Sequence, residues 1–409
     1  MINPPSRSAF VLASLGLLAA CSDNVDAPTT EATGVVRSAW TEYPGTPTFA
    51  AGWQLRQVFE GNKDVWAPSY AGAFVRDSTG WTYAFPELEN GSILGATTSA
   101  AGPIQVDLTT KLLGYFVGGA TTSRGPAVLY DRYYWQRAGG SGSWVSDAIR
   151  LARLGPGGWT SELVDDQFSP NVLEGLCLAN RGDSLTAFYN LGAQVLKVAD
   201  EQAAGGWDVR TLVGNDARGA GPFGCAGGTD DLWFVLGEDV FDEPRVARLR
   251  AGDAAPEEVT LLPIGPRLRA ASTAVGADDV PVVAYFDESV LRLATRIAPG
   301  NWNIETVPTP FRADEVSNQN ITLSLESGSP VLAITRYGEH PPSPGVGKDE
   351  IWLLRKVDGA WRATEVYSPP GGWLRIHGMV VDGDHVVLGA AHSKYAGPYR
   401  NVIIEGPLP

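Results

Sequence analysis

The sequence is short of positive charge and of long apolar runs, and both shortages argue against particular functions. It has 31 Lys and Arg against 46 Asp and Glu, a formal net charge of -15 at pH 7. A chain this acidic disfavours nucleic acid and anionic membrane surfaces as partners, because phosphates attract basic surfaces. The apolar run near the start, residues 9–20, covers only 12 residues, whereas a membrane-spanning helix takes roughly 20.

Motifs that carry catalysis or ligand binding are also missing. No Gly-x-Ser-x-Gly nucleophile turn occurs. The stretch GPGG at 155–158 lacks the lysine and the following helix of a phosphate-binding loop. The acidic turns have no calcium-loop spacing and are more simply turn formers: RGD (181–183), TDD (229–231), ADD (277–279) and DGD (382–384). We therefore predict no catalytic residue, no metal and no cofactor, with calcium as the alternative.

The composition predicts a folded chain with many turns. Of 409 residues, 44% are hydrophobic and 19% charged, so a sizeable core is expected. The 48 Gly and 29 Pro are spread between apolar runs, which is typical of an all-β protein.

The first residues resemble the signal and lipobox of a bacterial lipoprotein. Arg7 is the only charge before residues 9–20, which fit the apolar region of a secretory signal. That run ends in Leu18-Ala19-Ala20-Cys21. In a lipobox, cleavage precedes the cysteine and its thiol is acylated. The alternative is an ordinary signal peptide with an incidental cysteine.

This resemblance implies a signal peptide over 1–20 and a mature protein that begins at a lipid-modified Cys21. Ser22 stands where an Asp would favour the inner membrane, so we expect the outer membrane, facing the periplasm or the cell surface. Acyl chains anchor a protein through their buried methylenes. Residues 21–45 are rich in Pro, Thr and acids, and predict a flexible tether before a folded domain over 46–409.

Two further cysteines, Cys177 and Cys225, are 48 residues apart. Each lies six residues before an aspartate that opens a turn, Asp183 or Asp231, so they occupy equivalent places in adjacent repeats. An exported compartment permits a disulfide. We favour a bridge between neighbouring repeats, and two buried free thiols are the alternative.

One phrase recurs along the chain: GGWTSELVDD (157–166) returns as GGWDVRTLVGND (205–216), GNWNIETVPTP (300–310) and GAWRATEVYSP (359–369), with an early copy, GWQLRQVF (52–59). Its tryptophans are Trp53, Trp159, Trp207, Trp302 and Trp361. Five residues after each stands Val58, Val164, Leu212, Val307 or Val366. In a strand these two positions lie on opposite faces, so both faces are partly buried, as in a sheet packed between two others.

The phrase closes a unit of four short antiparallel strands. Before each Trp come an apolar strand and a Gly-bearing turn, which predict a hairpin. Trp159 and Trp207 are 48 residues apart, and Trp302 and Trp361 are 59 apart. In two units the fourth strand lacks the Trp, and the less regular segments PIQVDLT (103–109) and EEVTLLP (257–263) stand in its place. A period near 50 residues with four strands per unit predicts an all-β β-propeller.

Counting the units predicts seven blades. Full units cover 63–109, 110–165, 167–214, 218–262, 266–308 and 314–367, while the C-terminal segment has three strands and 52–59 is a fourth strand without a unit. An N-terminal strand that completes the C-terminal blade closes the ring and removes an exposed sheet edge. Six or eight blades, or an array of β-sandwiches, are the alternatives.

The domain resembles the broad group of bacterial β-propeller repeat proteins with sialidase-like blades. The resemblance covers about 46–409 and rests on the Gly-x-Trp hairpins. Such propellers usually carry Asp-box turns, Ser-x-Asp-x-Gly-x-x-Trp, and this sequence has none. No catalytic Tyr/Glu pair or arginine triad is placed by motif either. The resemblance therefore implies the fold and leaves the function open.

The recurring tryptophans are interpreted as packing residues between blades, because each stands opposite an apolar residue; a ring of sugar platforms is the alternative. Irregular aromatics are better ligand candidates, and LYDRYYWQR holds Tyr130, Tyr133, Tyr134 and Trp135.

Three of the four histidines, His377, His385 and His392, lie near the C-terminus. If 382–384 is a hairpin turn, His385 faces Val381, and His377 lies near Gly389 rather than opposite His392. A metal site needs convergent ligands, so none is predicted here.

Together these features predict a lipid-anchored, monomeric propeller that binds an envelope protein or a glycan without catalysis. Its contact with the membrane is expected through the lipid alone. The alternative is a sialidase-like glycosidase or lyase whose active site is assembled from several blades at one mouth of the channel. A structural part of a larger surface complex is a third hypothesis.

Replacing Cys21 with Ser removes the thiol that a lipobox acylates. We expect the variant to move from the detergent phase to the aqueous phase in detergent partitioning of the cell envelope, because no acyl chain remains to anchor it. Cys177→Ser is the matched control and should stay in the detergent phase. A Cys21→Ser protein that still partitions with detergent would contradict the lipid anchor.

Overall fold

The computed structural model describes residues 47–60, 72–78, 80–87, 92–98, 104–107, 117–138, 141–166, 175–190, 195–213, 221–237, 245–250, 252–262, 270–286, 290–312, 315–337, 349–393 and 399–409. These ranges contain 29 β-strands and no α-helix. None of them holds a helix long and apolar enough to cross a membrane. The predictions on the signal peptide, Cys21 and the tether concern residues outside the described part of the chain.

The first three complete blades are four-stranded antiparallel sheets in which each strand pairs with the next along the chain. Blade 1 consists of β3 (Ala73–Asp77), β4 (Gly80–Glu87), β5 (Ser92–Thr97) and β6 (Ile104–Asp107). Blade 2 consists of β7 (Val117–Thr122), β8 (Gly125–Ala138), β9 (Ser141–Gly155) and β10 (Gly158–Asp165). Blade 3 consists of β11 (Leu176–Arg181), β12 (Ser184–Asn190), β13 (Leu196–Glu201) and β14 (Trp207–Val213).

The next three blades repeat this order. Blade 4 consists of β15 (Gly221–Gly227), β16 (Asp231–Gly237), β17 (Arg245–Arg250) and β18 (Glu258–Leu261). Blade 5 consists of β19 (Ala270–Val275), β20 (Pro281–Phe286), β21 (Leu291–Ala298) and β22 (Asn301–Val307). Blade 6 consists of β23 (Val316–Glu326), β24 (Ser329–Arg336), β25 (Glu350–Val357) and β26 (Ala360–Ser368).

The seventh blade joins the two ends of the chain. It consists of β27 (Trp373–Asp382), β28 (His385–Ser393), β29 (Tyr399–Pro407) and, on the outside, β2 (Gln54–Glu60), which pairs antiparallel with β29. The predicted seven-bladed propeller and its closure by an N-terminal strand are confirmed. One strand was not predicted: β1 (Thr48–Phe49) pairs with β26 and gives blade 6 a fifth strand.

The recurring Gly-x-Trp phrase is the hairpin between the third and fourth strands of a blade. Gly300 and Gly359 occupy two of these turns with φ of 68° and 79°. Glycine adopts such positive φ angles without the steric cost that a Cβ brings. The phrase therefore recurs where a blade makes this tight turn before its outer strand.

Seven apolar clusters hold the ring together, and each lies between two neighbouring blades. The cluster between blades 2 and 3 includes Leu129, Leu151, Leu185 and Tyr189, all fully buried. Equivalent clusters lie between blades 1 and 2, 3 and 4, 4 and 5, 5 and 6, 6 and 7, and 7 and 1. A four-stranded sheet has two apolar faces, so each blade contributes to two clusters.

The repeated tryptophans and the apolar residue five positions later contribute to different clusters. Trp159 packs against the cluster of blades 1 and 2, while Val164 belongs to that of blades 2 and 3. The other four pairs show the same division between the preceding and the following blade: Trp53 and Val58, Trp207 and Leu212, Trp302 and Val307, Trp361 and Val366. The tryptophans are therefore packing residues, as the alternation of the strand predicts.

The first strand of each blade lies at the axis, where seven strands converge and contact their neighbours around the ring. Little space is left between adjacent first strands. A side-chain carbon on Gly227 of β15 would lie 1.4 Å from the carbonyl oxygen of Asn180 in β11. One on Gly378 of β27 would lie 2.8 Å from Cβ of Phe74 in β3. Glycine at these places lets adjacent blades approach as closely as the ring requires.

Candidate functional site

The two faces of the propeller carry different connections. We call the turn face the end where the first strand of a blade meets the second and the third meets the fourth. The loop face is the opposite end, with the connections between second and third strands and between blades. On the turn face β11 and β12 are joined by Gly182 and Asp183 alone, whereas on the loop face the chain runs from Arg336 to Glu350 between β24 and β25. Exposed connections on a rigid scaffold are the usual place for binding residues.

Turns of neighbouring blades are bonded to one another on the turn face. The carboxylate of Asp183 accepts hydrogen bonds from the backbone N–H of Ser123 at 2.6 Å and from its hydroxyl at 2.5 Å. These bonds lower the pKa of Asp183. Asp279 accepts a bond from the backbone N–H of Thr229 at 2.7 Å. Two of the predicted turn-forming aspartates thus also bond to a turn of the preceding blade. On this face they have a structural role.

A cavity of about 360 Å³ lies on the axis and is lined by all seven first strands. Its lining includes the beginnings of several of these strands, among them Ala73, Val117 and Leu176. These strands enter the ring from the loop face, so the cavity belongs to that half of the channel. A concave site of this volume suits a small ligand or one unit of a larger one.

Blade 7 supplies the ionisable side chains of the described cavity lining, Arg375 and His377. Arg375 is 6% exposed. A β-bulge places His377 as an extra residue between the pairs Ile376↔Ala390 and Gly378↔Gly389. Bulges are a common means of re-aiming one side chain out of the regular alternation. Sequence reasoning therefore placed His377 correctly near Gly389.

A buried tyrosine of blade 1 holds His377. The Tyr83 hydroxyl lies 2.7 Å from Nδ1 of His377, 3.0 Å from Oδ1 of Asn401 and 3.2 Å from the Ala390 carbonyl oxygen. Burial raises the pKa of Tyr83 well above its ordinary value, so the hydroxyl keeps its proton. The Asn401 and Ala390 oxygens are acceptors for the Tyr83 hydroxyl proton, and Nδ1 of His377 lies within hydrogen-bond distance of the same hydroxyl.

A disulfide joins Cys177 of β11 to Cys225 of β15, with Cα atoms 6.0 Å apart. Both cysteines line the cavity. The bridge therefore connects the first strands of blades 3 and 4 at the axis, and closes a loop of one blade length. Cross-links of this kind stabilise a fold by restricting the unfolded chain.

The aromatic ligand candidates fall into two groups. Tyr130 is 2% exposed, and its hydroxyl lies 2.7 Å from Oγ of Ser161. It packs in the cluster between blades 1 and 2, so its interpretation as a ligand contact is replaced by a packing role. The side chains of Tyr133, Tyr134 and Trp135 lie outside the described part of the chain, although the backbone there belongs to β8.

A buried ion pair lies near the loop face between blades 2 and 3. Nζ of Lys197 is 2.9 Å from Oδ2 of Asp165, and the Tyr189 hydroxyl donates to the same oxygen at 2.7 Å. Burial, together with the Asp165 carboxylate, raises the pKa of Tyr189 above its ordinary value. Removing one member of such a pair leaves a buried charge uncompensated, so these residues fix how the two blades meet.

The three C-terminal histidines do not converge. His377 lines the cavity, His385 is exposed on the turn face, and His392 is 2% exposed inside blade 7. The predicted pairing of His385 with Val381 is wrong by one residue: Gly383 and Asp384 alone form the turn, so His385 pairs with Asp382. Among the described residues no three His, Cys, Asp or Glu side chains are grouped as a metal site.

Sequence reasoning did not find the polar residues of the cavity. Arg375 and His377 lie on β27 and Thr273 on β19, and only ring closure brings these strands to one axis. The available signal was local: WLRIHGMVV (373–381) places a cation and an imidazole within an otherwise apolar first strand.

Solved structures resemble the fold at low sequence identity. A fucose-specific lectin from Aleuria aurantia is 11% identical, with a TM-score of 0.44 over 76% of this chain and 100% of that chain. A protein of unknown function from Dyadobacter fermentans is 12% identical, with a TM-score of 0.45 over 86% of this chain and 99% of that one. The NanB sialidase from Streptococcus pneumoniae is 8% identical, with a TM-score of 0.46 over 87% and 70%.

No protein-family model matches the sequence, and no curated protein matches it. The resemblance to sialidase-like propellers therefore stands at the level of fold. Fold alone does not settle what a propeller binds or whether it catalyses a reaction.

His392 is a buried neutral histidine. Its Nε2–H donates to the Gly371 carbonyl oxygen at 2.7 Å. Burial lowers the pKa of His392 from 6.5 to about 4, and the Arg400 charge acts in the same direction. Above pH 6.5 the ring is neutral in both folded and unfolded chains. As the pH falls towards 4, the unfolded chain takes up this proton first, and folding loses stability.

We expect the lowered pKa of His392 to reduce the free energy of unfolding by on the order of 3 kcal/mol between neutral pH and about pH 4. His392→Gln keeps a donor for Gly371 but takes up no proton in this range. Its free energy of unfolding should therefore fall less than that of the wild type over the same interval. Urea unfolding at several pH values measures both proteins, and equal losses would contradict the assignment.

Proposed function

We propose that this protein is a lipid-anchored binding propeller of the bacterial cell envelope, which holds an envelope glycan at its loop face without catalysis. The observation that carries the proposal is the axial cavity of about 360 Å³ in the loop-face half of the channel. Its described lining combines small apolar residues and hydroxyls with Arg375 and His377. A few placed polar groups in a mostly apolar pocket are typical of a binding site.

The different contacts on the two faces of the propeller support the same proposal. On the turn face, Asp183 and Asp279 bond the turns of adjacent blades. The loop face holds the cavity mouth and many of the longer connections. A closed ring with a disulfide between β11 and β15 presents this face on a rigid support.

The cavity favours a glycan over a protein ligand. Its volume matches one or two sugar units, and hydroxyl, guanidinium and imidazole groups in the lining suit a polar ligand. The lipobox at Leu18-Ala19-Ala20-Cys21 supports placement at the outer membrane, facing the periplasm or the cell surface. The acidic composition supports a role that does not involve nucleic acid.

Filling the cavity tests the proposal. Thr322 lines it on β23, and Thr322→Tyr puts a ring into the space that a ligand needs. Thr160→Tyr is the matched control, because Thr160 is exposed on the outer strand β10. Mature protein is applied to arrays of bacterial envelope glycans and cross-linked to intact envelopes. We expect wild type and Thr160→Tyr to retain one glycan class, and Thr322→Tyr to lose at least about tenfold in affinity.

Three results would overturn the proposal. Turnover of fluorogenic glycosides by the wild type would favour the glycosidase alternative. Cross-linking to one envelope protein without any glycan retention would make the ligand a protein. Equal glycan retention by wild type and Thr322→Tyr would place the binding site elsewhere.

A further inference from the structure

The first strand of each blade has an edge that no other strand of its sheet covers. Among the described strands, β3, β7, β11, β15, β19, β23 and β27 each pair with one neighbour, the second strand of the same blade. Every second residue of such an edge strand points both its N–H and its C=O away from the sheet. These seven strands line the axial cavity, so main-chain donors and acceptors belong to its wall and need partners there.

Two glycines of β7 show which way the side chains of a first strand point. A Cβ on Gly118 would lie 2.9 Å from the backbone nitrogen of Leu178 in blade 3, and one on Gly119 would lie 2.6 Å from Cγ1 of Val75 in blade 1. Consecutive positions thus point at opposite neighbouring blades. Both glycines line the cavity and are half-buried. Because glycine has no side chain, the surface that they offer is main chain.

The structure shows one way in which such an edge is completed. The backbone N–H of Leu323 in β23 donates to Oγ of Ser272 in β19 at 3.0 Å, across the boundary between blades 6 and 5. Both residues line the cavity. A hydroxyl is a donor and an acceptor at once and rotates to suit its partner, so it can bond to either kind of edge group. The ionisable side chains of the described lining, Arg375 and His377, already have interactions within the protein.

A ligand with hydroxyls suits this wall better than a charged one. A strand edge offers N–H and C=O in equal number and carries no net charge. An ionised carboxylate has acceptors only, so it would meet carbonyl oxygens to which it cannot bond, and taking its charge out of water is costly. An extended peptide has its donors and acceptors in one plane and pairs with one edge or two. The hydroxyls of a sugar point in several directions and can reach several edges.

We infer that the axial cavity binds one uncharged sugar unit through the main-chain edges of the first strands, with the sugar hydroxyls as both donors and acceptors. The inference rests on the proposed function and narrows the glycan to one that presents a neutral sugar to the channel. Selectivity then comes from the arrangement of the hydroxyls, because the main-chain groups of a closed ring lie at fixed places.

Calorimetric titration of the mature protein tests the preference for an uncharged sugar. Glucose and galactose are compared with glucuronate and galacturonate, in which a carboxylate replaces the hydroxymethyl group. We expect one site per chain for glucose, galactose or both, and at least about tenfold weaker binding of the matching uronate. Acetylated trialanine amide is the peptide probe and should not bind. Thr322→Tyr should lose the hexose, whereas Thr160→Tyr, on the outer strand β10, should keep it.

Amide resonances locate the contact. Gly118 and Gly119 are consecutive in β7, so one of them points its N–H at the axis. In protein with isotope-labelled glycine, we expect the bound hexose to shift the amide signal of at least one of them. Gly300 and Gly359 are the matched controls, because they lie in turns on the turn face. Their signals should not move.

Binding of neither hexose, tighter binding of a uronate than of its hexose, preferential binding of the peptide, or hexose binding that leaves the Gly118 and Gly119 signals unmoved would overturn the inference. These failures are separable from failure of the proposed function. An acidic envelope glycan retained by wild type but not by Thr322→Tyr leaves the glycan function standing without the neutral-sugar site. Hexose binding that moves these signals, without any retained glycan, leaves the site standing without the glycan function.

Discussion

Each blade of this propeller buries its two apolar faces against its two neighbours, so no blade has a core of its own. The seven clusters between blades are the result. Burial of this kind is the dominant favourable term in folding, and here it is available only to a closed ring. The N-terminal segment therefore contributes to packing on both sides of blade 7. Trp53, directly before β2, and Val58, within β2, belong to the two clusters that flank this blade.

The same constraint produces the candidate site. Seven strands that meet at one axis leave room only for small residues at their closest approaches, as at Gly227 and Gly378. A cavity remains on the axis between these strands, and Arg375, His377 and Thr273 line it.

The sequence predicted what repeats and missed what occurs once. A tryptophan at a fixed distance from an apolar residue recurs in several blades. This pattern predicted the four-stranded blade, the repeat length and the closure of the ring. The short strand β1 gives a fifth strand to one blade and therefore leaves no periodic signal. Tyr130 was predicted to be a ligand candidate because it is an aromatic outside the repeat, yet its ring packs between blades. The cavity lining could not be predicted from the sequence, because Thr273 of blade 5 and Arg375 of blade 7 line one cavity only through the arrangement of the blades around the axis.

Urea unfolding of a chain that begins at residue 62 measures how much closure of the ring by the N-terminal segment stabilises the protein. Without β1 and β2, the edge of β29 and two clusters are exposed, so we expect a lower midpoint and loss of the single cooperative transition shown by a chain that begins at residue 47. A peptide of residues 47–60, added in excess, should restore part of the lost stability. Identical midpoints and slopes for the two chains would show that the N-terminal segment does not hold the ring together.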